Sequence, residues 1–593
     1  MCGICGELRF DAQAPRRETL ESMTARLARR GPDASGHYFA GPLALGHRRL
    51  AVIDLTARSN QPMVDEAAGL VLVFNGTIYN YRELREQLRT KGHRFFSDGD
   101  SEVILKAYAE WGEDCLVHLH GMFAFAIWES ARQRLFLARD RFGIKPLYYS
   151  FTPGGLRFAS TSQALLAVGD VNTAIDPVAL HHHFSLHAVV PAPRTLLCGV
   201  RKLPPGHCMT IHADGRNRVQ RYWRLDLSRQ YPPMTEWEWI EAAHVALRKA
   251  VERRRAVADV PVGILLSGGL DSSLLVALLA EAGGGDLLTF SVGFEDEPEE
   301  QGNEFQYSDM VAELYSTQHH RFTIHNEQVL ARLPEAVDNM AEPMVGQDAI
   351  AFYLLSERVS REVKVVQSGQ GADEVFAGYF WYAQMHAARG TDIERFGERY
   401  FDRPHAEWLE MITPAYHGPD YTGARVAAGL SRFGGDDFVN RVLAFDVTTL
   451  IVDDPVKRVD NMTMAWGLEA RVPFLDQELV ELVACMPAQI KMKSGGKHPL
   501  KVMARDLLPD IVIDRPKGYF PVPALKFVRG QTLEFMRDVL ESKACHDRGL
   551  YQRSYVQQML DNPDRVHTPI NGNKLWHLAL LEFWLQRNVD ISA

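Results

Sequence analysis

The most reactive side chain near the start of the sequence is the thiol of Cys2, in the run Cys2-Gly3-Ile4-Cys5. A small second residue predicts removal of Met1, which would place a free α-amine on the same residue as the thiol. That amine has a pKa of about 7.7–8.0 and can accept the thiol proton at neutral pH. Cys2 is therefore a candidate nucleophile that carries its own base. The alternatives are a buried structural thiol, or a redox or metal pair with Cys5, for which one pair alone is weak evidence.

Two groups further along the chain could serve such a nucleophile. Arg49 follows Arg48 and precedes an apolar run, and a guanidinium can bind an amino-acid carboxylate through two parallel hydrogen bonds. Asn75-Gly76 follows a predicted strand over 70–74, where a side-chain amide and a backbone N–H could stabilise a tetrahedral oxyanion. The alternatives are a solvated arginine pair and an ordinary Asn-Gly hairpin turn.

A phosphate-binding turn is predicted at Ser267-Gly268-Gly269-Leu270-Asp271-Ser272-Ser273, between an apolar run and a helix. Glycines let the backbone close around an anion, and the N–H groups and hydroxyls at a helix start donate to phosphate. Asp271 adds a carboxylate suited to Mg²⁺. The chain has no GxxxxGK[ST] segment, so this is not the loop of the P-loop nucleotidases. A tight connection without a ligand is the alternative.

A second glycine-rich bend, Gln367-Ser368-Gly369-Gln370-Gly371-Ala372-Asp373-Glu374, also ends in acids. If both bends lie at neighbouring strand ends, Asp271 and Asp373 flank one Mg²⁺-triphosphate. The alternative is two independent turns with solvated acids. Near the C-terminus, Lys517 lies in a loop bounded by Pro516 and Gly518, where it could neutralise charge building on an α-phosphate.

The first part of the chain must position Cys2, and its pattern predicts an α+β fold of packed, mostly antiparallel sheets. Strands are predicted over 70–74, 122–128, 135–138 and 147–149, and helices over 18–30, 80–91 and 101–111. We expect this domain to cover residues 1–210. A polar, turn-rich linker is expected over 211–236.

The second domain, expected over 237–593, must position the two glycine-rich bends. A helix is predicted over 236–255. After it, a strand over 260–266, a helix over 272–282 and a strand over 287–292 form a βαβ unit, and 363–367 supplies a further strand. This order predicts a doubly wound parallel sheet, an α/β fold, with its ligand at the carboxyl ends of the strands. From about 380 the pattern is mostly helical.

Composition limits the function classes. The chain has 593 residues, 46% hydrophobic and 24% charged, which excludes a disordered or fibrous protein. Its 65 basic and 75 acidic residues give a net charge of −10, which gives no electrostatic reason to bind nucleic acid or anionic lipid. Seven irregularly spaced cysteines do not suggest a disulfide framework. The start does not read as a secretory signal, and no apolar run reaches the roughly 18 residues of a membrane span, so we expect a cytoplasmic protein.

Together these segments resemble the glutamine-hydrolysing asparagine synthetase family over almost the whole chain. The resemblance rests on several motifs in the family's order: Met1 to Ile4, His47 to Leu50, Phe74 to Asn80, Arg139 to Leu147, Ser267 to Ser273, Ser368 to Glu374, and Gly467 to Asp476. It implies an N-terminal-nucleophile glutaminase of class II followed by an ATP pyrophosphatase domain. It also implies a carbon–nitrogen ligase that converts ATP to AMP and diphosphate.

The resemblance also implies roles for residues at matching positions. Cys2 would attack the glutamine amide, and Asn75 with Gly76 would form the oxyanion hole. Arg49 would hold the glutamine carboxylate and Asp100 its ammonium. Ammonia would pass through the interior to the second site. There Lys517 would stabilise the adenylation transition state. ATP would be bound by Leu266, Ser267, Gly268, Gly269, Asp271, Ser272, Ser368 and Gly369, and Mg²⁺ by Asp271 and Asp373.

Two positions depart from the usual pattern of asparagine synthetases. Thr77 stands where they usually have Glu, which puts in doubt one contact to the glutamine ammonium. Gln370 replaces a Glu near the acceptor and the nucleotide. Because an amide can neither act as a base nor pair with a cation, aspartate is not the expected acceptor.

The acceptor is indicated by a second resemblance within the family. The segments 2–10, 341–345, 351–357 and 363–374 are similar to those of N-acetylglutaminylglutamine amidotransferases. This implies amidation of the C-terminal carboxylate of an acetylated glutamine dipeptide, an osmoprotectant of bacteria. The alternatives are an asparagine synthetase acting on aspartate and a catalytically silent sensor of ATP or glutamine. The expected partners are small molecules only, and assembly as a homodimer is left open.

Overall fold

The computed structural model describes residues 2–283, 285–296, 302–435, 437–515, 522, 525 and 528–590. Its strands, in chain order, are β1 (Gly3–Arg9), β2 (Ala34–Ala40), β3 (Leu43–Arg49), β4 (Met63–Asp65), β5 (Leu70–Ile78), β6 (Gly121–Glu129), β7 (Arg134–Arg139), β8 (Tyr148–Thr152), β9 (Gly155–Ala159), β10 (Arg201–Lys202), β11 (His207–His212), β12 (Asn217–Arg221), β13 (Val262–Leu265), β14 (Leu288–Phe294), β15 (Gln318–Ile324), β16 (Val365–Gln367) and β17 (Glu469–Arg471).

The first twelve strands form two antiparallel sheets, ordered β10-β8-β9-β1-β3-β2 and β12-β11-β7-β6-β5-β4. Strand β5 shows why they stack: Val71 and Val73 face the core between the sheets, whereas Leu72 and Phe74 face a core shared with helices. A strand buried on both faces needs an uninterrupted apolar run, which 70–74 supplies. The accompanying helices are Arg17–Arg26, Tyr81–Thr90, Asp100–Trp111, Cys115–His118, Ser162–Leu166 and Pro177–Ser185.

The remaining strands form one parallel sheet in the order β15-β14-β13-β16-β17. The predicted fold class, an antiparallel sandwich followed by a parallel α/β sheet with a helical C-terminal part, is confirmed. The sheet and its surroundings carry the helices Glu236–Ala256, Leu270–Glu281, Phe305–Leu314, Asn326–Asp338, Asp348–Val359, Ala372–Phe376, Phe380–Ala387, Asp392–Tyr400, His405–Met411, Tyr421–Ser431, Phe438–Phe445, Ile451–Asp453, Pro455–Met464, Gln477–Cys485, Ala488–Met492, His498–Ala504, Asp510–Ile513, Gly530–Leu540, Lys543–Arg548, Arg553–Asp561 and Lys574–Asn588.

The segment predicted as a linker contains a strand. Residues 217–221 form β12, which pairs antiparallel with β11 in the second sheet of the first domain. All five residues of β12 are exposed, which explains why the sequence there looks like a loop. We therefore propose a domain boundary after Arg221, in place of residue 210.

The two domains share buried polar contacts. Lys202, 1% exposed, pairs with Glu342 and Asp453 of the second domain at 2.8 Å each. Arg30 pairs with Asp460 at 2.9 Å. Since buried charges are stable only when they are paired, these contacts fix how the two domains pack.

All seven cysteines are free thiols. Within the described residues no helix is long and apolar enough to cross a membrane.

Candidate active sites

Cys2 lies directly before β1 and is 7% exposed. Its backbone N–H donates to Asn75 Oδ1 at 3.0 Å, and its carbonyl accepts from Arg30 Nε at 3.3 Å. Burial raises the pKa of the Cys2 thiol, and the Leu50 backbone and the Arg49 charge offset part of this effect. A thiol in this setting needs an adjacent base to become a nucleophile at neutral pH. Met1 lies outside the described residues, so its removal stays a prediction.

Asn75 and Gly76 lie inside β5, not in a hairpin turn, and pair with Ala124 and Phe123 of β6. The Asn75 Nδ2 group is buried and has no hydrogen-bond partner among the described residues, so its donor capacity is available to a ligand. A side chain at position 76 would place its Cβ 2.2 Å from the Met122 carbonyl oxygen, so only glycine fits. Because Gly76 lines the same pocket as Cys2, we propose that Asn75 and Gly76 form an oxyanion hole for a Cys2 adduct.

Arg49 ends β3 and is 5% exposed. Its Nη1 donates to the Thr56 carbonyl and to Asn60 Oδ1, both at 2.8 Å, and its Nη2 donates to the carbonyls of Ile53 and Asp54. All four acceptors are uncharged carbonyl or amide oxygens, and none of them is a carboxylate. Its positive charge is therefore held in place without being neutralised, which suits it to a ligand carboxylate.

The carboxylates of this pocket come from both domains. Asp100 begins the helix Asp100–Trp111 and accepts from the Ile78 backbone N–H at 3.0 Å; burial raises its pKa to about 6. Glu469 of β17 reaches across from the second domain and accepts from Thr77 Oγ1 at 3.1 Å. Burial opposes its ionisation, but positive charges nearby, the largest of them Arg471 at 2.6 Å, together outweigh that effect and lower the pKa of Glu469 to about 2.

These side chains surround a small cavity of about 30 Å³. Its walls include Cys2, Arg49, Gly76, Thr77, Asp100 and Glu469. Sequence reasoning missed Glu469, although its segment is among the motifs that carry the resemblance. The available signal was Thr77. Because this position lacks the usual Glu carboxylate, a carboxylate from another part of the chain could replace it.

The turn Ser267–Ser273 joins β13 to the helix Leu270–Glu281 and lines a cavity of about 360 Å³. Within it the Ser267 backbone N–H donates to Ser272 Oγ at 3.1 Å. Gly268 has φ +73°, and a Cβ there would lie 2.7 Å from the Ser308 nitrogen, so this glycine packs against a neighbouring helix. Of the predicted nucleotide-binding residues, Gly268 alone is absent from the cavity wall, which contains Leu266, Ser267, Gly269, Asp271, Ser272, Ser368 and Gly369.

The two glycine-rich bends meet, as the sequence predicts. A Cβ on Gly369 would lie 3.2 Å from Asp271 Cβ. The carboxylates of Asp271 and Asp373 both contact the Lys497 ammonium, at 2.6 and 2.8 Å. Burial lowers the pKa of Lys497, but these two carboxylates outweigh it and the net shift is upward. Two carboxylates that can share one cation also fit Mg²⁺, which prefers oxygen ligands.

Lys497 was missed from the sequence, where Gly495-Gly496-Lys497 is the only hint of a cationic loop. The cation that the sequence did predict, Lys517, lies outside the described residues. Its described neighbour Arg515 lines the same cavity and pairs with Glu304 at 2.8 Å.

A second cavity, of about 710 Å³, adjoins the first. Asp348, Gln370 and Asp373 line both. The larger cavity, which we call the acceptor cavity, has aromatic walls from Tyr379, Trp381, Tyr400 and Trp576 and acidic groups from Asp348, Asp373, Glu374, Asp446 and Asp454. Part of its wall is the π-helical turn Asp446–Leu450, a local widening of a helix that is frequent at functional sites.

One helix connects the acceptor cavity to the Cys2 pocket. Arg458 in Pro455–Met464 lines the acceptor cavity and pairs with Asp348 at 3.0 Å. Asp460, two residues later, pairs with Arg30, which itself bonds the Cys2 carbonyl. Lys145 Nζ reaches the same Asp460 at 3.1 Å. The two sites are thus linked through adjacent residues of one buried element.

Comparison with known proteins agrees with this pair of sites. Residues 1–223 match the model of a glutamine amidotransferase domain, and residues 243–586 match the asparagine synthase model. The chain belongs to the asparagine synthase family. It is an ATP-dependent carbon–nitrogen ligase that takes nitrogen from glutamine.

The similarity to named relatives extends over most of the chain. The glutamine-hydrolyzing asparagine synthetases 1 and 3 of Bacillus subtilis are each 31% identical to it over 100% of this chain, and over 97% and 100% of their own lengths. Amidase chry2 of Gibberella zeae is 27% identical over 89% of this chain and 88% of its own.

Proposed function

We propose that this enzyme adenylates the C-terminal carboxylate of N-acetylglutaminylglutamine and amidates it with ammonia released from glutamine. The observation that carries the proposal is the acceptor cavity, which adjoins the nucleotide cavity and has a volume of about 710 Å³. Cavities of about 300–1,000 Å³ accommodate drug-sized ligands, so there is space for an acetylated dipeptide.

In the first half-reaction, the free amine of Cys2 takes the thiol proton and the thiolate attacks the glutamine amide. Asn75 Nδ2 and the Gly76 backbone N–H stabilise the oxyanion. Arg49 binds the substrate carboxylate. Asp100 and Glu469 together attract its ammonium, so that Glu469 supplies the charge that Thr77 lacks. Ammonia leaves, and water hydrolyses the thioester to give glutamate.

In the second half-reaction, ATP lies in the smaller cavity with its phosphates at Ser267, Gly269 and Ser272. The acceptor carboxylate attacks the α-phosphate and displaces diphosphate, and ammonia then displaces AMP. Asp271 and Asp373 would hold Mg²⁺, which reduces the negative charge of the phosphates when bound. Lys497 adds a positive charge near the phosphates. Lys517 is the proposed group that stabilises the adenylation transition state.

The composition of the acceptor cavity favours an amide-rich substrate. N-acetylglutaminylglutamine has one carboxylate to activate and several amide N–H groups, which are donors for the acidic side chains Glu374, Asp446 and Asp454. Its acetyl methyl group and side-chain methylene groups can pack on Trp381 and Tyr400. Gln370, at the junction of the two cavities, is an amide that can pair with another amide.

Aspartate is the alternative acceptor, and the names of the Bacillus subtilis relatives support it. A test is to give the purified enzyme glutamine, ATP and Mg²⁺ with either aspartate or N-acetylglutaminylglutamine, and to measure AMP and the mass of the product. We expect AMP and an amidated dipeptide only with the second acceptor. Rapid turnover of aspartate with none of the dipeptide would contradict the proposal.

A third outcome separates an enzyme from a sensor. If the protein binds ATP but releases neither glutamate nor AMP with any carboxylate tested, it is a catalytically silent nucleotide-binding protein. Cys2 and the Asp271–Lys497–Asp373 cluster argue against this outcome, because a silent site has no need of a nucleophile or of paired charges.

A further inference from the structure

His187 belongs to the first domain by sequence, but it lies in the wall of the acceptor cavity in the second. It follows the helix Pro177–Ser185 by two residues. Neither the motifs nor the proposed function use it.

The backbone at His187 adopts an unfavourable conformation. Its φ is +52° and that of the next residue, Ala188, is +61°. The turn is closed by hydrogen bonds from Ala188 N–H to the His183 carbonyl and from Val189 N–H to the Leu186 carbonyl, both at 2.9 Å. Two successive non-glycine residues in the left-handed region are uncommon. Such conformations persist where the surroundings enforce them, and they concentrate at ligand sites.

A buried carboxylate orients the His187 ring. Asp402 is 0% exposed, and its Oδ2 lies 3.1 Å from His187 Nδ1. Because a carboxylate accepts hydrogen bonds, Nδ1 carries the proton in this pair. The other ring nitrogen, Nε2, has no hydrogen-bond partner among the described residues, and the ring is in the cavity wall. Nε2 is therefore the nitrogen left for a ligand.

The neighbouring charges favour a protonated ring. Burial lowers the pKa of His187, but Asp402 outweighs burial; Asp454 adds to the upward shift and Arg458 opposes it. His577, 3.4 Å from the same carboxylate, has its pKa lowered well below the usual value by burial and by nearby cations and is neutral. The negative charge of Asp402 therefore balances the positive charge of the His187 ring, whereas the His577 ring is neutral.

We propose that His187 is an acceptor-binding residue whose Nε2–H donates to a carbonyl or carboxylate oxygen of the acceptor, and that Asp402 positions it. The inference rests on the proposed function of this cavity. The other basic groups in the described wall are Arg458, already paired with Asp348 and Asp454, and the exposed His567. In a wall this acidic, an oxygen-rich acceptor needs a cationic donor. His187 is partly buried, and its Nε2 has no hydrogen-bond partner among the described residues, so it can serve as that donor.

The test uses ammonium chloride as the nitrogen source, which bypasses the first domain. AMP formation is measured against N-acetylglutaminylglutamine concentration for the wild type, His187→Gln, Asp402→Asn and His546→Gln. His546 is an exposed histidine that lines neither cavity and serves as the control. We expect His187→Gln to raise the KM for the acceptor about ten- to a hundredfold, as loss of a charged hydrogen bond does. The KM for ATP and the rate of glutamine hydrolysis should not change.

Asp402→Asn should raise the same KM in the same direction, because its ring partner loses orientation and charge. An unchanged acceptor KM in a folded His187→Gln variant overturns the inference. The inference is also overturned if glutamine hydrolysis falls and the KM for ATP rises as much as the KM for the acceptor does. Such uniform effects indicate a structural role only. His187, Asp402 and His577 could also hold a metal ion such as zinc. If such an ion is bound, and if the KM for the acceptor rises after chelation and readdition of Mg²⁺, the inference is replaced by a metal site.

If the wild type amidates aspartate and not the dipeptide, the proposed function has failed. The same variants are then measured with aspartate, and the His187 inference holds or fails on the KM for that acceptor.

Discussion

At the scale of single residues, the thiol and its partners determine the first reaction. We predict that Cys2→Ala abolishes glutamine-dependent amidation but leaves activity with added ammonium, because the thiol belongs only to the first site. Amide product is measured with each nitrogen source. Cys5→Ala is the matched control: Cys5 is fully buried, burial raises its pKa to about 12, and it does not line the Cys2 pocket. Loss of both activities in Cys2→Ala would contradict the assignment.

Asp100 gives the first site a pH dependence. Because burial raises its pKa to about 6, the carboxyl becomes neutral as the pH falls through 6 and no longer attracts the glutamine ammonium. We expect the KM for glutamine to rise about tenfold between pH 7 and pH 5, measured by glutamate release. In Asp100→Asn the KM should be high at both pH values. An identical pH dependence in that variant would show that another group is responsible.

At the scale of elements, β5 carries the proposed oxyanion hole and depends on its pairing with β6. Gly76→Ala would force a Cβ to within 2.2 Å of the Met122 carbonyl oxygen. We predict destabilisation of about 1–3 kcal/mol and loss of glutaminase activity, checked by thermal unfolding and glutamate release. Gly285→Ala is the control, since a Cβ there meets nothing within 4 Å. A fully active, equally stable Gly76→Ala variant would remove the glycine requirement.

The sequence predicts some strands and site residues correctly and misses others, for reasons that differ from one element to the next. The apolar run 70–74 and the βαβ pattern around Ser267 predict their strands because periodicity and composition agree there. The strand β12 was missed because all its side chains are exposed and resemble a loop. Asn75-Gly76 looks like a hairpin turn locally, but tertiary pairing extends β5 through it. Glu469, Lys497 and His187 could not be placed, because each reaches its site only through contacts with distant parts of the chain.

At the scale of the whole molecule, the helix Pro455–Met464 joins the two sites. Asp460 pairs with both Arg30 and Lys145 across the domain interface, and all three are buried. We predict that Asp460→Asn destabilises the protein by about 3–5 kcal/mol and uncouples it, with more glutamate released than amide formed. Both are measured in one reaction by quantifying glutamate and amide.

The control for that variant is Asp476→Asn, which breaks a buried pair between two residues of the second domain, Asp476 and Arg254. It should cost similar stability but leave the ratio of glutamate to amide near one. If Asp476→Asn uncouples the reactions equally, the effect of Asp460 is general destabilisation.

Each domain contributes a side chain to the cavity of the other, which limits how the domains can be swapped between related proteins. Glu469 of the second domain enters the pocket of the first, and His187 of the first enters the acceptor cavity of the second. A chimera that grafts either half onto a relative keeps both sites complete only if the relative supplies equivalent side chains at these two positions. Changing the acceptor by domain shuffling would therefore require checking these two positions in both halves.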